Sequence, residues 1–153
     1  MVTKDQDIKI KKIYSKSIVS KRNARILSVQ VIYSYLMRES FSIPALDSML
    51  YDSFKDNSEV DQVYATALVM GTMKNRSSLE DKIQNHLSES WKFHRLAKVM
   101  QSILLAAAYE LLFKQDLSSS ILINEYIEIS KLMNHEGESG FVNKVLDELS
   151  KSH

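Results

Sequence analysis

Three glycines and one proline are all that punctuate 153 residues. Folds built from many short strands need glycine- or proline-rich turns between them, so this scarcity favours helices over sheets. The length suits one domain with a real core. A composition of 44% apolar and 25% charged residues is that of an ordinary soluble globular protein. No cysteine occurs, which excludes disulfides, thiolate metal sites and cysteine nucleophiles. No apolar run approaches the roughly 20 residues of a membrane span. Lys9, Lys11, Lys12 and Lys16 interrupt every candidate for a signal-peptide core, so no membrane partner and a cytoplasmic location are expected.

Residues 1–19 alternate lysine with isolated isoleucines (Ile8, Ile10, Ile13) and carry no helical stripe. The expectation is a flexible basic extension over 1–19 and a helical domain over 20–150. Ser20 caps the first predicted helix, in which Ala24, Leu27, Val31 and Tyr35 recur at helical spacing up to about Arg38. Ser42-Ile43-Pro44 opens a second, with proline in its first turn and Leu46, Leu50 and Phe54 on its apolar face. Ser58 and Asp61 resemble a capping box before a stripe from Val60 to Gly71 that resumes at Leu79, Ile83 and Leu87. One helix crossing Ser77-Ser78 and two meeting there fit the pattern equally. Gly71 within a helix costs about 1 kcal/mol relative to alanine, which points to close helix packing.

Val99 to Phe113 is apolar on most sides, the mark of a central helix. Ser118-Ser119-Ser120 starts another through Ile123, Tyr126 and Leu132. Ser139 caps the last, with Phe141, Val142, Val145, Leu146 and Leu149. Trp91, between Ser90 and Lys92, is expected to anchor the junction of two halves. No strand candidate remains, and the predicted fold is all-α with six or seven helices.

Charge is unevenly placed. The first 25 residues carry eight lysines and arginines against two acids, while the other 128 carry twelve against seventeen, inside a formal total of +1. Clustered positive charge on a mildly acidic domain concentrates attraction for a polyanion at one place, and nucleic acid is the first candidate. With Ser20 as the cap, Lys21, Arg22 and Arg25 fall at the start of a helix, where the macrodipole disfavours cations. Fixed helical spacing suits several phosphates at once, and such binding weakens with salt as counterions are released. For Lys9, Lys11, Lys12 and Lys16, a solubilising tail and an RNA-stabilising arm are equally compatible readings. Tyr33, eight residues on from Arg25, should point to nearly the same side.

Three ordered blocks carry a resemblance: Ile103-Leu104-Leu105-Ala106-Ala107-Ala108-Tyr109-Glu110-Leu111, then Ile123-Asn124-Glu125 with Glu128 and Ser130-Lys131, then Phe141-Val142-Asn143-Lys144-Val145-Leu146-Asp147. With Ala24-Arg25, Gln30 and Tyr33, they resemble the NusB family of bacterial transcription antitermination factors over about residues 20 to 149. The resemblance implies two packed helical halves. It also implies binding of the boxA element of ribosomal RNA transcripts, together with ribosomal protein S10 (NusE), within the RNA polymerase antitermination complex. Carried over residue by residue, it implies RNA contacts by Lys21, Arg22, Arg25, Tyr33 and Phe141. Lys16 from the extension and Lys144 join them as phosphate contacts. Lys144 stands where the family usually has glycine, Leu105 where it usually has arginine, and Asn23 where a third basic residue is common. Some members pair as homodimers that cover the RNA surface, and no heptad seam here decides that point.

Catalytic, cofactor and metal roles find no constellation. Glu125 and Glu128 share a helix face, but no second pair with histidine matches them, so they are expected to form structural ion pairs, Glu128 with Lys131. His86, His94, His135 and His153 are scattered without zinc spacing. Two other readings stand beside the RNA-binding factor. One is a protein-only adaptor. The other is the helical module of a ribosomal RNA cytosine methyltransferase, which would need a catalytic domain after His153.

Overall fold

Seven α-helices follow one another across residues 3–38, 42–133 and 136–152, the residues described by a computed structural model. They are α1 (Lys4–Leu36), α2 (Ile43–Lys55), α3 (Gln62–Lys74), α4 (Arg76–Gln84), α5 (Lys98–Tyr109), α6 (Ser119–Leu132) and α7 (Ser139–Lys151). No strand occurs among the described residues. His135 and His153 lie outside them.

The stripe from Met100 to Ala108 is buried on every side, because α5 packs against α1 and α3 in one half and against α4, α6 and α7 in the other. In the first half α1 packs on α2 and α3; in the second, α6 packs on α7. The helix that is apolar all round is thus the shared core of both halves.

The first helix departs from expectation. It does not start at Ser20 but runs unbroken from Lys4, and the basic stretch 4–19 is part of it. Its N-cap is Thr3, whose hydroxyl accepts from the Gln6 amide at 3.2 Å while the Gln6 side chain accepts from the Thr3 amide at 3.0 Å. Asp5 and Asp7 sit in the first turn, where the macrodipole favours acids, and Asp7 pairs with Lys11 at 3.3 Å. None of this shows as apolar periodicity, because side chains at 3–12 and 15–19 are exposed. Once the buried stretch beyond Ala24 is packed, each further turn extends an existing helix without a new nucleation cost. Lys21, Arg22 and Arg25 therefore sit mid-helix, more than four turns from the positive end of the dipole, and the expected macrodipole penalty does not apply.

Other boundaries follow capping chemistry. Ser42 accepts from the Ala45 amide at 3.2 Å and Ser118 from Ile121 at 3.4 Å, as their positions suggest. The cap of α3 is Asp61 itself, accepting from Tyr64 at 3.0 Å, rather than Ser58. Two helices meet near the ambiguous stretch, but at Asn75, and Ser77-Ser78 lie inside α4. Asn75 turns its side-chain amide back to the Gly71 carbonyl at 2.7 Å. The last helix begins at Ser139 but its N-cap position is Glu138.

Gly71 marks a close helix contact, as its sequence position suggested. A Cβ there would collide with the Tyr109 ring of α5. Gly71→Ala is expected to lower unfolding free energy by about 1–3 kcal/mol despite alanine's better helix propensity, the usual cost of overpacking, as read by urea denaturation.

Candidate nucleic-acid interface

Beyond Tyr109 the α5 backbone widens into a π-helical turn, Glu110–Lys114, and ends at Gln115 in the left-handed region (φ 48°). The Gln115 amide reaches back five residues to the Glu110 carbonyl at 3.3 Å. Glu110 itself is buried, at 1% exposure. Its carboxylate accepts from Arg25 Nε at 2.9 Å, from the Tyr126 hydroxyl at 2.5 Å, and from the Tyr64 hydroxyl. Tyr64 in turn accepts from Arg25 Nη2 at 2.9 Å. One carboxylate thereby ties α1, α3 and α6 to the end of α5. Burial opposes the charge of Arg25, but the adjoining Glu110 outweighs it and holds the guanidinium above its usual pKa. Burial first, and Glu110 second, push the Tyr126 hydroxyl well up.

This network corrects the reading of Arg25. With 4% exposure, and with Nε and Nη2 committed to Glu110 and Tyr64, Arg25 is held as a structural cation. Nor does it share a face with Tyr33, which stands on the solvent side at 39% exposure. Eight residues overshoot two helical turns enough to carry one ring outward and leave the other group inside.

Arg22 occupies a middle case. It forms a two-pronged pair with Glu125 of α6, Nε to Oε2 at 3.1 Å and Nη2 to Oε1 at 2.9 Å, while about half of its side chain stays in solvent. The hydrogen bond from Arg22 is the main cause holding the Glu125 carboxyl below its usual pKa, and the same bond raises Arg22. Glu125 and Glu128 are thus structural, the latter pairing with Lys131 at 3.3 Å.

Lys16 and Lys21 are exposed on α1. Lys9, Lys12 and Lys16 fall at helical spacing along one side, so the exposed stretch of α1 carries its charges in a row. Lys16 borders a cleft formed with Ser20 and the loop from Ser58 to Asp61, whose amide bonds the Ser20 carbonyl at 3.2 Å. On another side of α1, Lys21 and Lys114 each lie 5.8 Å from the centre of the Tyr64 ring, which also faces Arg25 at 5.2 Å. Lys114 was not singled out from sequence, since only the π turn carries it back towards α1.

The remaining two candidates sit elsewhere. Phe141 and Lys144 occupy the first turns of α7, which packs on α4, α5 and α6. Phe141 is half-buried against the core and Lys144 is exposed. Leu105 is fully buried. Trp91 does not anchor the junction of the halves: it is exposed and leans on Phe141 of α7, within the second half. Among the described residues no group of three or more histidine, aspartate or glutamate side chains converges as for a metal, and no helix is long and apolar enough to cross a membrane.

Fold and surface together define a class: a two-halved helical protein whose first helix projects a row of exposed cations. The NusB family profile matches residues 22–151, and the chain belongs to that family. The transcription antitermination protein NusB of Geotalea daltonii is 34% identical over 140 residues, spanning 87% of this chain and 95% of its own. The solved structure of T. maritima NusB superposes with a TM-score of 0.77 at 29% identity, covering 86% of this chain and 91% of that one. A structure of antitermination factors NusB and NusE in complex with dsRNA has the same fold, with a TM-score of 0.74 at 21% identity, over 86% of this chain and 96% of its counterpart.

Two consequences are measurable. Arg25→Ala strands a buried carboxylate and is expected to cost about 3–5 kcal/mol in denaturant unfolding, against about 1 kcal/mol or less for Arg22→Ala at the surface. The lowered Glu125 pKa means that the folded protein binds that proton less readily than the unfolded chain does. Its stabilising contribution is therefore complete above the ordinary glutamate range and is lost as pH falls through the lowered folded value. Glu125→Gln should flatten the fall of stability below about pH 4 without changing its slope near neutrality.

Proposed function

We propose that this protein is a non-enzymatic transcription antitermination factor. It binds boxA RNA of ribosomal RNA transcripts together with ribosomal protein S10 (NusE) and joins the elongating RNA polymerase. The observation that carries this reading is the row of exposed cations on α1 in a chain that matches a NusB antitermination protein over 87% of its own length. A protein of the same fold has been crystallised with NusE and dsRNA, which supports both partners.

In this reading, function is assembly rather than chemistry. Lys16, Lys21 and the solvent half of Arg22 hold phosphates, each neutralised phosphate releasing counterions. Tyr33 and Phe141 hold splayed bases, and Lys144 adds a phosphate contact at α7. Arg25 acts at one remove, by fixing α1 against the rest of the fold. Binding both RNA and S10 favours the ternary complex, because the second contact is made at high effective concentration.

Fluorescence anisotropy of labelled boxA-type RNA against a scrambled control, with and without S10, tests the proposal. Preferential binding that S10 strengthens and salt weakens is expected. Lys16→Ala and Lys21→Ala should each reduce the magnitude of the salt slope by about 0.7–0.9. Equal binding of both RNAs even with S10 present would reduce the protein to an adaptor or a nonspecific binder.

A further inference from the structure

Trp91 is the only tryptophan of the chain, and it is 53% exposed. Its backbone is nevertheless firmly held. The Trp91 amide donates to the Ser88 carbonyl at 2.9 Å, and its own carbonyl accepts from Gln84 Nε2 at 2.9 Å. The other end of the Gln84 amide accepts from the Phe93 amide at 2.8 Å, and the Phe93 ring is buried at 1% exposure. Gln84 thus clamps the segment on both sides of the indole. The ring leans on Phe141, with centroids 5.7 Å apart and planes inclined by 33°. Lys92 follows in sequence, and Lys144 stands one turn beyond Phe141 on α7; both are exposed.

An indole placed for packing would normally be covered, since it is the largest apolar surface a side chain can contribute. Here the backbone is fixed while about half of the residue's surface stays in solvent. A rigid exposed ring supplies contact area at little entropic cost to a ligand with a flat apolar face. Lysines beside it suit a ligand that also carries negative charge. An unpaired base with its phosphate has both properties, and every base offers a π face.

We propose that Trp91 is a base-stacking residue that forms, with Phe141, a two-ring platform for an unpaired base of bound single-stranded RNA, with Lys144 taking the adjoining phosphate. This rests on the RNA-binding reading above and adds Trp91 to the contacts that reading makes at α7. A protein ligand covering the same rings is the competing occupant, and the test separates the two.

The emission of Trp91 is followed while single-stranded boxA-type RNA is titrated in, alongside the anisotropy of the same RNA carrying a label. Both are repeated with S10 present, using Trp91→Phe as the blank for S10's own fluorescence. The expected result is quenching that saturates together with anisotropy, little quenching by a fully paired duplex of the same sequence, and about tenfold weaker binding for Trp91→Ala. RNA that binds by anisotropy while Trp91 emission and Trp91→Ala affinity stay unchanged overturns the proposal and leaves the RNA reading standing. Emission that changes with S10 alone and not with RNA overturns it in favour of a protein over the platform. Failure of the RNA to bind under any of these conditions sinks the antitermination reading and this proposal together. Quenching in the unsubstituted protein decides the matter should Trp91→Ala fail to fold.

Discussion

Glu110 is the point at which the fold is tied together. A buried carboxylate is costly unless its lone pairs are occupied, and here Arg25, Tyr64 and Tyr126 come from three different helices to occupy them. The π turn that begins at Glu110 shifts the register of the helix end, so that the carboxylate faces inward while Lys114 comes round beside Tyr64. Each participant satisfies another's polar group, which makes the angle of α1 to the other helices a matter of hydrogen-bond geometry as well as apolar packing. The exposed face of α1 is oriented as a result.

That anchoring divides the basic residues by role. Arg25 is consumed in the interior, Arg22 is shared between Glu125 and solvent, and Lys16 and Lys21 are left to the surface. Arginine suits the inner sites, since its planar fork makes several directed bonds at once; lysine, a mobile point charge, suits a phosphate whose position varies. A single charge cluster in sequence therefore performs two jobs, and burial decides which.

Much of the architecture was legible because α5, α6 and α7 carry strong apolar stripes and because Ser42 and Ser118 cap α2 and α6. Gly71 disclosed a tight contact because only a packing demand justifies glycine inside a helix. The unbroken length of α1 was hidden, since its exposed turns depend on a Thr3–Gln6 cap and an Asp7–Lys11 pair rather than on apolar spacing. The inward turn of Arg25 was hidden for a different reason. Its partner Glu110 is 85 residues away, and local pattern does not report a long-range ion pair. Likewise, nothing in the sequence around Lys114 or Trp91 announces that a π turn or a glutamine clamp displays them.

The central claim is that RNA meets the exposed cations of α1 while the Arg25 network stays out of contact. Mapping amide and side-chain NMR shifts of the protein during titration with boxA-type RNA tests it most directly. The account predicts perturbations concentrated at Lys16, Lys21, Arg22 and Tyr33 of α1 and at Trp91, Phe141 and Lys144, with the Arg25 guanidinium and Tyr126 hydroxyl region unchanged. Perturbations confined to surfaces away from α1, or a rearranged Arg25–Glu110 pair in the bound state, would contradict it.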